Sequence, residues 1–274
     1  MRETQHMRYA FTMLEVVFVT VILGIVASIG AEIIANVYES YIVQRAQYRA
    51  AIKTELALNQ IANRLRYAIP GTVYANNGTG TSATLVPINN ITSINSDRLQ
   101  WVAYDGDSFE ARTNTNIKPG WSGFIDLQAS SERQLITPGS NLNLVTTVVS
   151  NLGGVVANNT YIYFPDGTFY QIANIDNQTI HLNGSGIPSG SNMYERYKLA
   201  WSSYAITIEN GDLFLYYNFM PTPMARLGDN KSLLLKNVTN FRFKGNEGSL
   251  RIKICKEEPI GDSTVHTCKE KVIF

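Results

Sequence analysis

Apolar and polar positions change rhythm twice along this chain. Residues 1–9 are polar and carry Arg2 and Arg8. An apolar run follows, from Ala10 to about Ile34, with no charged side chain between Glu15 and Glu32. As a helix, residues 11–34 would reach about 36 Å, enough to cross a hydrocarbon core of about 30 Å. From residue 36 to 69 there is neither proline nor glycine. Ala51, Leu58, Ile61, Leu65 and Ala68 there follow gaps of seven, three, four and three, which is one face of a helix. Arg45, Arg49, Lys53, Glu55, Arg64 and Arg66 fall on the other faces. Pro70-Gly71 supplies a stop. The pattern therefore predicts one long helix over 11–69. Its apolar stripe has too few heptads for an independent coiled coil, so its second half should pack on a sheet.

Beyond Pro70 the period becomes two. Strands are expected at 83–88, 98–104, 123–128, 142–150 and 179–182. Hairpins are expected where Asp-Gly or Asn-Gly separates two alternating runs. These are 98–104 with 108–112 across Asp105-Gly106, 161–164 with 169–173 across Asp166-Gly167, and 199–208 with 213–219 across Asn210-Gly211. Residues 241–244 and 250–255 form a further pair, and 272–274 a closing strand. The fold class is α+β: a long N-terminal helix, transmembrane in its first half, packed on an antiparallel β-rich globular domain. The organisation reads as a leader at 1–10, a transmembrane helix at 11–34, the outer half of that helix at 35–69 and a globular domain at 70–274. The loop-rich stretch 72–191 leaves room for an inserted subdomain.

Glu15 does not suit a membrane helix. A carboxylate costs roughly 2.5 kcal/mol or more at the bilayer centre, less near an interface, so it needs a partner. A chain cut before Phe11 would provide one, because the new α-amine of a neighbouring copy can meet Glu15 at a single axial stagger.

The order Ala10-Phe11-Thr12-Met13-Leu14-Glu15 before an apolar run resembles the prepilin signal of type IV pilins and type II secretion pseudopilins. The resemblance implies cleavage between Ala10 and Phe11 by a prepilin peptidase and methylation of the new amine on Phe11. It also makes Glu15 the acid used in assembly. Gly24 matches a helix glycine of that pattern. Ala10 stands where the family usually has glycine, and Glu32 lies near the position of a proline that many members carry. An ordinary signal peptide would place its cleavage site after the apolar stretch. A plain signal anchor explains the hydrophobicity but not Glu15.

Composition then narrows the class. The chain has 274 residues, long enough for a sizeable core, with only 16% charged residues and a net charge of +1. No bulk field favours nucleic acid. Arg2 and Arg8 precede the span, so the leader should stay cytoplasmic and the remainder cross the membrane. Cys255 and Cys268 suit one disulfide in an oxidising compartment; two unpaired thiols are the alternative. The order of long helix, β-rich domain and late paired strands resembles J-type minor pseudopilins and W-type minor pilins. That resemblance implies a bacterial inner-membrane protein with a periplasmic domain, and other pilin or pseudopilin subunits as partners.

No constellation for chemistry stands out. His6, His181 and His266 lack metal-ligand spacing, and neither a nucleophile elbow nor a phosphate-binding loop is present. Asp105-Gly106-Asp107 reads as a turn, since a Ca²⁺ site needs about six to eight oxygens. Trp101, Trp121 and Trp201 read as core or partner-facing aromatics. No catalytic residue, metal site or cofactor is expected. Arg242 and Lys244, Arg251 and Lys253, and Lys269 and Lys271 are each spaced by two. If their strands pair, six cations are expected on one sheet face. That face is either solvated, offset by Glu247, Glu257, Glu258 and Glu270, or meets an anionic partner. The partner would be DNA or an acidic surface on another subunit, and a near-neutral chain favours the acidic surface. Two functions remain open: a non-enzymatic minor subunit of a pilus-like or pseudopilus fibre, and a membrane-anchored adhesin or DNA receptor that does not polymerise.

Overall fold

The computed structural model describes residues 12–77, 84–90, 98–115, 117–157, 159–246, 248–261 and 263–273. One helix, α1 (Met13–Leu65), runs unbroken for 53 residues. Thr12 caps it, its side chain accepting from the Glu15 N–H at 3.3 Å. The helix ends a turn before Pro70, because the chain leaves it to join a sheet. Ile69 N–H donates to the Val102 carbonyl, and Tyr104 N–H to the Tyr67 carbonyl.

The strands, all antiparallel, form three sheets among the described residues. The first contains β1 (Tyr74–Asn77), β2 (Thr84–Pro87), β3 (Arg98–Ala103), β9 (Ser202–Glu209), β10 (Asp212–Phe219) and β11 (Lys231–Leu235), in the order β11-β10-β9-β3-β1-β2. The second contains β12 (Val238–Asn246), β13 (Ser249–Ile260) and β14 (Ser263–Ile273), in that order. The third contains β4 (Gln134–Ile136), β5 (Tyr161–Tyr163), β6 (Phe169–Asp176), β7 (Thr179–Leu182) and β8 (Lys198–Ala200), in the order β4-β7-β6-β5-β8. Among the described residues two short α-helices, α2 (Gly106–Glu110) and α3 (Leu142–Asn151), and a 3-10 turn at Ile88–Asn90 complete the fold.

The outer half of α1 builds one core with the first two sheets. Leu58, Ile61 and Leu65 are buried with Leu99, Trp101 and Ile206 on one side and Phe241, Ile252 and Ile254 on the other. Ala46, Ala50, Thr54 and Ala57, all buried, form a strip of small side chains that lets β13 and β14 lie close to the helix. Thr54 satisfies its hydroxyl on the Ala50 carbonyl at 2.8 Å. A second core joins α3 to the third sheet through Leu142, Val145, Val149, Ile162, Ile172 and Leu199. The chain passes from one core to the other at Trp201, where β8 ends and β9 begins.

Three expectations need correction. Residues 142–150 form α3, not a strand. Leu142, Val145 and Val149 lie three and four apart and are the residues buried, so packing outweighs the strand preference of a valine-rich segment. Asp105-Gly106 is not a hairpin turn: Asp105 caps α2, its Oδ1 accepting from the Ser108 N–H at 3.1 Å. Residues 123–128 contribute only isolated bridges at Phe124 and Asp126. The Asn210-Gly211 hairpin is present, but its first strand begins at Ser202, because Lys198–Ala200 belongs to the third sheet. Both turn residues have positive φ, 52° and 82°, as a two-residue hairpin turn requires.

Candidate membrane and assembly surface

Among the described residues nothing packs against the first half of α1. Apart from Gly30, residues 12–42 are exposed, among them Val16, Phe18, Val21, Ile22, Ile25 and Ile29. The helix is long and apolar enough to cross a membrane, and none of its most apolar stretch is buried. Outside lipid this surface would be a very large apolar patch, the mark of a membrane or assembly contact. Tyr38, Tyr41 and Tyr48 follow, all exposed.

Glu15 lies in the first turn of α1, where the helix dipole already favours an acid. Among the described residues it has no ion-pair partner. Ala10 and Phe11, the expected cleavage and methylation residues, lie outside the described residues.

Cys255 and Cys268 are disulfide-bonded and stand directly opposite each other across β13 and β14. The segment between them is not a loop but the end of a hairpin turning near Gly261. His266, across from Glu257, lies 3.2 Å from its carboxylate.

The six-cation face is corrected by the register. Arg242 opposes Lys253 and Lys244 opposes Arg251, so these four share the outer face of the second sheet. Lys269 and Lys271 oppose Ile254 and Ile252, whose side chains are buried against α1. They therefore point to the helix side. Lys271 donates to Asn59 Oδ1 at 2.6 Å, and Lys269 lies 3.7 Å from Glu55. A two-residue spacing cannot reveal this, because it leaves unknown which alternate set faces inward. On the outer face Glu270 sits opposite Lys253 and pairs with Arg251 at 3.2 Å. Four cations and this acid share that face with the disulfide.

Two buried charged groups escaped the sequence reading. Lys256 is almost fully buried and pairs with Glu258 at 2.8 Å. It also donates to the Glu257 carbonyl. The hydrogen bond from Lys256 holds the Glu258 carboxyl below its usual range. The signal was present: Lys256 is in phase with Ile252 and Ile254, so the alternation already placed it inward. The other is Asp105, whose carboxyl burial pushes up to about 6, with hydrogen bonds from Ser108 opposing the rise. Its Oδ2 has no hydrogen-bond partner among the described residues. Asp105 stands where the two cores meet: its N–H donates to the Leu199 carbonyl, and Trp121 Nε1 donates to its carbonyl.

Among the described residues, no three His, Cys, Asp or Glu side chains gather to hold a metal ion. No family model, curated protein or solved structure matches this chain.

Proposed function

We propose that this chain is a non-enzymatic minor subunit of a pilus-like or type II secretion pseudopilus fibre. It is held in the bacterial inner membrane by the first half of α1, with its β-rich domain in the periplasm. A prepilin peptidase cuts it before Phe11, and the exposed helix then moves from lipid into a bundle of like helices. The observation that carries this reading is the form of α1. Its 53 residues make one rod of about 80 Å, exposed and mainly apolar at one end and docked into the core at the other. A plain anchor needs only the span; a rod continuous with the domain core also fixes how the domain is presented along a fibre. Glu15 adds the axial register, by pairing with the amine of the neighbouring subunit.

Substituting Glu15 by Ala tests the assembly step. The variant should insert and fold as the parent does, yet fail to cross-link to neighbouring subunits in the fibre. Cross-linking at the parental level would contradict the proposal.

A further inference from the structure

A cleft of about 420 Å³ opens between α1 and β11. On the helix side it is lined by Lys53, Leu56, Ala57 and Gln60, which at spacings of three, one and three form one helix face. On the other side it is lined by residues 233–236 in succession. Alternate residues of a strand point to opposite faces, so a cleft lined by a continuous run opens on the strand's edge. β11 is a terminal strand: β10 pairs with one edge and no described strand with the other. Leu234 is an extra residue in the pairing with Phe214 and Leu213, and such a bulge bends a strand; β11 lies beside α1.

This edge is guarded only in part, by Lys231 at its start and the bulge at Leu234. The strand reads Lys-Ser-Leu-Leu-Leu, with Leu233 exposed beside the exposed Leu56. The terminal strand β2, by contrast, ends in Pro87, and β14 packs closely along α1, whereas a cleft separates α1 from β11. A free, apolar edge is a template for an additional strand. The charged side chains that line it are all cations. Lys53, Lys236 and Lys256 line the cleft, and no carboxylate does. Glu258 lies near, bonded to the buried Lys256 and within electrostatic reach of Lys53. Among the described residues, Lys53 and Lys236 have no ion-pair partner.

We propose that this cleft is a strand-addition site for an extended, acidic segment of a partner protein. The unpaired edge of β11 recognises the partner's peptide backbone. Leu56 and Leu233 receive its apolar side chains, and Lys53 and Lys236 receive its carboxylates. This mode takes affinity from main-chain hydrogen bonds and specificity from alternate side chains. It does not depend on cleavage before Phe11 or on fibre assembly.

The test uses the full chain in detergent micelles. The probes are fluorescent peptides of about ten residues, alternating Val or Thr with Glu, a length that matches a strand. They should bind saturably, more weakly as salt rises, and slow hydrogen exchange at residues 231–235. Lys53→Glu with Lys236→Glu should weaken binding by about tenfold or more, equivalent to about 1.4 kcal/mol. Leu233→Lys, a change at an exposed position, should also abolish it while leaving the melting temperature in place. Peptides N-methylated at alternate residues, or with Lys in place of Glu, should not bind. Absence of saturable binding would overturn the proposal. So would binding that survives N-methylation, because the cleft would then read charge and not backbone.

Discussion

Lys271 on β14 donates a hydrogen bond to Asn59 Oδ1 on α1 at 2.6 Å, joining the last strand to the helix. Two residues earlier, Lys269 approaches Glu55, so strand and helix advance in step. These contacts hold the helix on the sheet beside its strip of small residues, where little apolar area is available. Lys271→Ala should lower stability by about 1 kcal/mol, the usual net value of one hydrogen bond. Asn59→Ala should cost a similar amount, and the double variant little more than either alone. Thermal unfolding of the four proteins measures this.

Asp105 should make stability fall as pH rises. Its carboxyl titrates near 3.8 when unfolded and at about 6 in the fold. Between these values the folded protein holds a proton that the unfolded chain has released, so ionisation opposes folding as pH increases through the window. The full effect is up to about 3 kcal/mol, present at neutral pH and absent below about pH 4. Asp105→Asn keeps an oxygen to cap α2 and removes the charge. It should be more stable than the parent at pH 7 and lack the fall between about pH 4 and 6. Denaturant melts across this range compare the two.

The Cys255–Cys268 bond closes a segment with a sequence separation of 13. Chain-entropy estimates for such a loop give about 3 kcal/mol. Replacing both cysteines by Ala should lower stability by that order. The unfolded, unreduced parent should react with no thiol reagent. Two reactive thiols would show that the bridge does not form.

Hairpins were the most legible part of the sequence, because their signal is local. Asn210-Gly211 and Asp166-Gly167 each carry the turn chemistry between alternating runs. The helix was legible for a different reason: an apolar run broken only by Gly24 and Gly30 leads into residues 36–69, which hold neither Pro nor Gly, although the helix ends at Leu65 and not at 69. What stayed hidden depends on contacts distant in sequence. The segment 142–151 is rich in β-branched residues, and only the third sheet decides that Val145 and Val149 share a helix face. Only the last residues of β14 are legible as a strand, since Ser263–Ile273 shows no apolar face: its inward positions include Lys269 and Lys271. Of the proposed site, Glu15 was legible as an anomaly of composition. The cleft beside β11 was not, because nothing in Lys231–Leu235 reveals which of its edges remains unpaired.

The four outer cations form two like-charged cross-strand pairs, Arg242 with Lys253 and Lys244 with Arg251. Like charges in register destabilise a sheet. Replacing all four by Gln should therefore leave stability unchanged or slightly raised. If the face serves an acidic neighbouring subunit, the same variant should lose pairing with that subunit. The parent's binding to duplex DNA should be absent from the start. Pull-down of co-expressed subunits and a DNA titration at low salt separate these outcomes.

The claim that this helix enters a fibre rests on the residue that begins the mature chain. Mass spectrometry of the protein recovered from membranes reads that residue directly. The account predicts a chain starting at Phe11 with a methylated amine. An intact Met1, or a new terminus near Ala31, would contradict it.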